Sequence, residues 1–215
     1  MSVASLPSNI PLVVATRNAG KAKEFREMLG ADRFAWRDLP AGDDSPEETG
    51  RTFLTNACLK ATYYARQTSV WALADDSGLE VDALNGSPGV VSARWAELHN
   101  AGKGDTANNA LLLQQMENVS DDARGARFVC ALALADPEGQ IILTARGTMA
   151  GRLLRTPRGT NGFGYDPLFL VDLFGKTTAE LSPAEKHAIS HRGQALRRLR
   201  DLMEGGTSCD SAKLR

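Results

Sequence analysis

The chain is poor in cysteine, in aromatic residues and in net charge, and it has no long apolar run. Its three cysteines, Cys58, Cys130 and Cys209, lie far apart and form no C-x-x-C pair. A sparse, odd count excludes a disulfide framework and suits reduced thiols in the cytoplasm. Cys130 sits in an apolar run and is expected in the core. No stretch of about 18 apolar residues occurs, so no membrane span is expected. The N-terminal residues lack the charged-then-apolar order of a signal peptide, so none is expected. Lys and Arg number 25 against 26 Asp and Glu, a net charge of −1, and aromatic residues make up 6%. That balance gives no basic stripe and few stacking rings, so a nucleic-acid binder is poorly supported. A small polyanionic ligand needs only local positive charge.

What is present is an ordinary globular composition: 215 residues, 42% hydrophobic and 24% charged. That length fits one large domain or two small ones and buries a substantial core. There is no repeat, low-complexity tract or clear linker. Residues 10–15 read as a buried strand, 16–20 as a turn and 21–29 as a helix. Residues 40–50, rich in Pro, Gly and acids, read as a loop. Residues 52–67 are helical, with Phe53, Ala57, Ala61, Tyr64 and Ala65 on one face and Asn56, Lys60 and Tyr63 on the other. Residues 70–74 and 79–84 read as two strands separated at Ser77-Gly78, with a turn at Asn85-Gly86. A helix follows at 106–116, then strands at 127–135 and 140–148 around a hairpin turn at 136–139. Residues 155–167 are too glycine-rich for a regular element, and 168–171 form a short strand. Ser182-Pro183-Ala184-Glu185 is a strong helix-start signal. Ala195, Leu196, Leu199, Leu202 and Met203 then form one apolar stripe. The expected fold is α/β with a mixed sheet.

Four constellations carry chemistry. In Ala74-Asp75-Asp76-Ser77-Gly78 an apolar strand runs straight into paired acids. Ionised carboxylates are costly to bury unless something cationic meets them, and a divalent metal with a phosphorylated substrate fits that role. Neighbouring strand residues point to opposite faces, so both acids reach one metal only if the chain turns at Ser77-Gly78. Thr16-Arg17-Asn18-Ala19-Gly20-Lys21 lies between a strand and a helix, where free N–H groups and Lys21 suit phosphate. It is not a Walker A loop, since Ala15 and Ala22 stand where Gly and Ser or Thr belong. The local pattern serves a phosphate site and a plain connector equally well. Glu47 and Glu48, which precede the 52–67 helix, either favour its dipole or join the paired acids of the first constellation as a second metal ligand.

Gly162-Phe163-Gly164-Tyr165-Asp166-Pro167 is the third constellation. Glycines on both sides either leave the Phe163 ring open as a platform for a planar base, with Asp166 placed to accept from a base N–H, or make a tight loop whose Phe packs into the core, the commoner fate of a lone Phe. The fourth is Lys186 with Ser190-His191-Arg192. One straight helix would set His191 and Arg192 off the face of Lys186; they converge if it breaks near Ile189 and Ser190 caps a second helix. Lys and Arg only donate, so they suit a 6-oxo purine and meet a 6-amino group donor to donor.

Together these stretches resemble the inosine/xanthosine triphosphate pyrophosphatase family. The matching runs are T-R-N-A-G-K-A-K-E at 16–24, E-E-T-G-R-T-F at 47–53, N-A-C-L-K-A at 56–61, A-D-D-S-G-L-E-V-D-A-L-N-G-S-P-G-V-V-S-A-R at 74–94, G-F-G-Y-D-P at 162–167 and E-K-H-A-I-S-H-R-G-Q-A-L at 185–196. The resemblance implies an elongated mixed sheet flanked by helices, with two lobes and a central cleft (Maf/ITPase-like). Residues 1–204 would form that one domain, with 205–215 a flexible tail. It implies a cytoplasmic homodimer that hydrolyses ITP, dITP and XTP to the monophosphate and pyrophosphate with Mg²⁺. Asp76 would be the general base and a metal ligand, with Glu48 sharing the metal. Residues 16–21 (Thr16, Arg17, Asn18, Ala19, Gly20, Lys21) and Lys60 would hold the phosphates, and Ser77 would touch substrate. Phe163, Gly164, Tyr165, Asp166, Lys186, His191 and Arg192 would surround the base. Two positions depart from the family pattern: Thr55 stands where an acid is usual, and His187 where Asn or Ser is common. The competing expectations are a related pyrophosphatase for pyrimidine or methylated nucleotides and a non-catalytic nucleotide-binding module.

Overall fold

The computed structural model describes residues 9–30, 32–39, 42 and 45–205; the tail from 206 and parts of the 40–50 loop lie outside the described residues. Strand β1 (Pro11–Val14) leads into helix α1 (Ala19–Leu29), whose first turn is capped by Asn18 accepting from the Lys21 N–H. The short strand β2 (Ala35–Arg37) follows, then α2 (Phe53–Thr68), capped by Thr52 and ended by Ser69 at φ +53°. Strand β3 spans Trp71–Val81. A 3₁₀ segment at Gly89–Arg94 runs into the short helix α3 (Trp95–Leu98), and α4 spans Gly104–Gln115. The long hairpin β4 (Gly125–Ala135) and β5 (Ile141–Leu153) precedes β6 (Phe169–Val171) and β7 (Lys176–Thr177). Helices α5 (Pro183–Ile189) and α6 (His191–Met203) close the fold.

The strands form one mixed sheet in the order β2-β1-β3-β4-β5-β6-β7. β1 pairs in parallel with β2 and β3, and every later pair is antiparallel. Both faces near β3 and β4 are covered, so β4 is apolar and buried over most of its length and β3 is apolar up to Asp75. On one face α2 lays Ala57, Ala61 and Ala65 against Ala72, Ala74, Ala131 and Ala133, small residues that let a helix sit close to a sheet. On the other, α1 and α6 bury Phe25, Leu29, Leu196, Leu199 and Met203 against Leu12, Leu73, Leu132 and Leu134. A third cluster, with Leu79, Leu112, Met116, Phe128 and Phe169, fills the far half of the sheet. Among the described residues no helix is long and apolar enough to cross a membrane.

Two expectations need correction. Residues 70–74 and 79–84 are not two strands: β3 runs unbroken through Asp75-Asp76-Ser77-Gly78, paired in continuous register with β4 from Ala72↔Ala135 to Val81↔Ala126. Gly78 is there for close approach, not for a turn. A side chain on it would run into Ser92 Oγ and the Gly89 carbonyl, and Ser92 caps this strand by accepting from the Leu79 N–H at 2.9 Å. The second correction concerns α2, where Asn56 is buried rather than on a solvated face. The break between α5 and α6 does occur at Ser190, whose side chain accepts from the Gly193 N–H, and α5 opens with the Ser182/Glu185 capping box.

Candidate active site

Because β3 does not turn, its two acids face opposite sides of the sheet, and each gathers its own cation. Asp76 faces α2. Its Oδ2 accepts from the Asn56 amide at 3.1 Å, and Lys60 Nζ lies 3.4 Å from its Oδ1 and 2.7 Å from Glu48 Oε1. Asn56 also accepts from the Gly50 N–H at 2.8 Å, which fastens the segment carrying Glu48 to the helix. Any side chain at Gly50 would collide with Asn56 and Thr55. Burial pushes the Asp76 carboxyl above the usual carboxylate range; the Lys60 ammonium opposes this, and the Glu48 charge adds to it. Burial works against the Lys60 charge, yet Asp76, Asp75 and Glu48 hold its pKa above the ordinary value.

Asp75 faces the other side and is essentially inaccessible. Its Oδ2 meets Lys21 Nζ at 2.9 Å, the Ser77 hydroxyl at 3.0 Å and Arg192 Nη2 at 3.5 Å. Burial opposes its ionisation, but Lys21 and Arg192, with Lys60 from across the strand, hold its pKa far below the usual range. Lys21 in turn acts on Asp76, so the two halves of the site feel each other through β3. Asp75 Oδ1 and Arg192 Nε are buried without a partner.

On the Asp75 side opens a cavity of about 660 Å³, counting its mouth, a size that suits a nucleotide-sized ligand. Asn18 and Lys21 line it from the start of α1, Ser77 from β3, and Phe163, Gly164 and Asp166 from the glycine-rich loop. The α5–α6 break brings Lys186, His191 and Arg192 to the same wall. The half-buried Phe163 ring carries Lys186 Nζ 5.0 Å and the Arg192 guanidinium 5.8 Å from its centroid. His191 stacks on Phe128 at 4.9 Å, and its buried Nδ1 has no partner. Burial, and then the charges of Arg192, Lys186 and Lys21, keep its imidazole neutral.

Several residues named from sequence sit differently from expectation. Asp166 is not a free acceptor: its carboxylate already takes the Phe163 N–H at 2.9 Å, the Thr178 hydroxyl at 2.8 Å and Lys186 Nζ. Tyr165 borders the cavity, but its ring is buried and its hydroxyl donates to the Ser92 carbonyl at 2.9 Å. Arg17 is exposed and reaches Ser45, and Thr16 accepts from the Asn18 N–H. Ala19 and Gly20 form the first turn of α1, with Gly20 close to the Phe163 ring. Glu48, Lys60 and Asp76 do not line the cavity; they lie across β3 from it. Thr55 hydrogen-bonds Thr52 at 2.8 Å. His187 Nε2 lies 3.9 Å from Glu24. Sequence reading missed Glu24, which pairs with Arg192 although it ends the 16–24 run, and Asn56, which periodicity put on the wrong face. Arg197 donates to the His187 and Ala188 carbonyls at the end of α5.

Four cations (Lys21, Lys60, Lys186, Arg192) thus meet five carboxylates (Glu24, Glu48, Asp75, Asp76, Asp166). Among the described residues no three His, Cys, Asp or Glu side chains form a metal cluster. The donor set that remains is Glu48 and Asp76, gathered on the Lys60 ammonium. Two hard oxygen donors around a cation fit Mg²⁺, which takes one or two carboxylates and completes its shell with water and phosphate oxygens.

The Ham1 family model matches residues 12–202. A dITP/XTP pyrophosphatase of Exiguobacterium sibiricum is 54% identical over 190 residues, spanning 87% of this chain and 94% of the relative. One from Corynebacterium glutamicum is 49% identical over 198 residues, spanning 87% and 94%. The solved structure of a HAM1 protein from Coxiella burnetii superposes with a TM-score of 0.80 at 40% identity, covering 91% of this chain and 98% of that one. The shared fold, and a family match that runs from residue 12 to residue 202, lead to one conclusion: the chain belongs to the Ham1 family.

Proposed function

We infer that this chain hydrolyses deaminated purine nucleoside triphosphates, ITP, dITP and XTP, to the monophosphate and pyrophosphate. The observation that carries the reading is the back-to-back pair on β3: Asp75 anchors a cationic cavity for a nucleotide, and Asp76 is a carboxylate of raised pKa beside Lys60 and Glu48. Raised basicity in a buried carboxylate suits a general base. Relatives of about half-identical sequence are named dITP/XTP pyrophosphatases.

In this reading the base stacks on Phe163, and Lys186 and Arg192 direct N–H donors at its edge. A 6-oxo group satisfies them. A 6-amino group leaves buried donors facing donors, a mismatch that discriminates strongly. β1 pairs with β3 only as far as Leu73, so a triphosphate can pass the edge of β3 at Asp75-Asp76: Asn18 and Lys21 draw its phosphates on the cavity side and Lys60 on the other, where Asp76 orients the attacking water and accepts its proton. Glu48 and Asp76 would hold Mg²⁺, which supplies the positive charge that a triphosphate needs in a site where carboxylates outnumber cations. The working assembly is a homodimer in the cytoplasm. A panel of ITP, XTP, dUTP and ATP, with the released phosphate product identified, tests the reading. Pyrophosphate from ITP and XTP with Mg²⁺, and none with EDTA, is the expected result. Preference for dUTP would move the assignment to a pyrimidine enzyme, and binding of ITP without turnover would make the chain a nucleotide-binding module.

A further inference from the structure

The Phe163 platform sits in a loop of irregular backbone, so something outside the loop must set its angle. Asp166 fixes the Phe163 N–H, and Tyr165 is tied to Ser92. Gly164, between them, has φ +63°, a left-handed backbone that favours glycine. Both of its backbone polar groups are taken by one helix: its N–H donates to Asp105 Oδ2 at 2.6 Å, and its carbonyl accepts from Asn109 Nδ2 at 2.9 Å. Asp105 and Asn109 are four residues apart and share one face of α4. The helix is itself held, because Asn108 accepts from the Ala96 N–H at 2.8 Å and donates to the Ala93 carbonyl at 3.1 Å. Asp105 borders the cavity, and the Asn109 amide bonds Gly164 through Nδ2 while its Oδ1 is buried without a partner.

We propose that Asp105 and Asn109 are positioning residues that clamp the Gly164 peptide and so hold the Phe163 ring at its stacking angle against the nucleobase. The proposal rests on the reading of this cavity as the base site. It predicts a defect in base binding alone, because the phosphate cradle and Asp76 lie on other elements.

The test uses the full chain with Asp105→Ala, Asn109→Ala, Asp105→Asn and Phe163→Ala. Loss of a charged hydrogen bond should raise KM for ITP by about tenfold or more while kcat stays within about threefold. Inhibition by inorganic tripolyphosphate, which offers no base to stack, should be unchanged. Asp105→Asn keeps an acceptor for the Gly164 N–H and should restore most of the affinity. In the Phe163→Ala background, Asp105→Ala should add almost nothing, since its effect runs through that ring. Unchanged KM in both alanine variants, equal weakening of tripolyphosphate, or full additivity with Phe163→Ala would each overturn the clamp. Absence of ITP hydrolysis by the unaltered chain would instead overturn the functional reading, and calorimetric binding of IMP by the same variants would still test the clamp.

Discussion

Replacing Gly147 with alanine should damage the site from beneath. Gly147 lies in β5 under the start of α6, where an added methyl carbon would stand 2.7 Å from the Ala195 nitrogen and 2.9 Å from Gln194 Cβ, and closer still to the His191 carbonyl. Comfortable carbon contacts begin near about 3.5 Å, so α6 has to lift by something on the order of 1 Å. Overpacking of this kind costs about 1–3 kcal/mol. In a chain of this length each kcal/mol lowers Tm by roughly 2–4 °C. Because α6 begins with His191 and Arg192, the same displacement moves two cavity groups, and a misplacement of about 1 Å can cost about 10²-fold in rate. Gly151→Ala is the matched control. Its methyl would meet the Phe169 ring at 2.7 and 2.8 Å and the Leu170 carbonyl, pushing β6 instead of α6. Melting curves and kcat/KM for ITP should show similar loss of Tm in the two variants and a large loss of kcat/KM only in Gly147→Ala. If kcat/KM in the two agrees within about threefold, the seat of α6 on β5 does not position the site, and the reasoning fails.

Asp76→Asn should lower turnover by about 10²–10⁴ and yet raise the stability of the metal-free protein at pH 7. Burial lifts the Asp76 pKa in the folded state, so its ionisation costs stability above that pKa. The gain should therefore fade as the pH falls through the raised pKa toward the unfolded value near about 4, as urea unfolding in EDTA at a series of pH values would show. Asp75→Asn should give the opposite pattern. It leaves Lys21 and Arg192 short of their shared anion, costs about 3–5 kcal/mol, and raises KM more than it lowers kcat. The depressed Asp75 pKa means that its contribution is complete above the unfolded carboxylate value and is lost only in strong acid, so the deficit should hold steady from pH 5 to 8. Lys186→Met removes a donor at the base edge and should narrow the ITP-over-ATP preference by about tenfold or more in kcat/KM.

The parts of the fold that were legible in sequence have local causes. The apolar run before Thr16, the alanine-rich face of α2, the turn at 136–139 and the Ser182 and Ser190 caps announce themselves within a few residues. The strands β2 and β7, three and two residues long, do not, because only their neighbours make them strands. Ser77-Gly78 was misread because its glycine answers a contact with Gly89 and Ser92, more than ten residues away. In the site, Lys21, Asp76, Phe163, Lys186 and Arg192 fall within runs that the family resemblance marks. What those runs do not tell is pairing: that Asp166 is already occupied by Lys186, that Glu24 holds Arg192, or that Asn56 ties the Glu48 segment to Asp76. Apart from the six-residue step between Gly50 and Asn56, these pairings join residues 20 to 168 positions apart, beyond the reach of any local pattern.

The unbroken course of β3 makes residue count as important as residue identity. Adjacent side chains on a strand point half a revolution apart, so one residue gained or lost between Trp71 and Asp75 would swap which acid looks at Lys60 and which at Lys21. A substitution there dims one half of the chemistry, whereas a single-codon insertion or deletion would exchange the base for the anchor and leave neither in place. Variation in this stretch should consequently take the form of changed letters at fixed length.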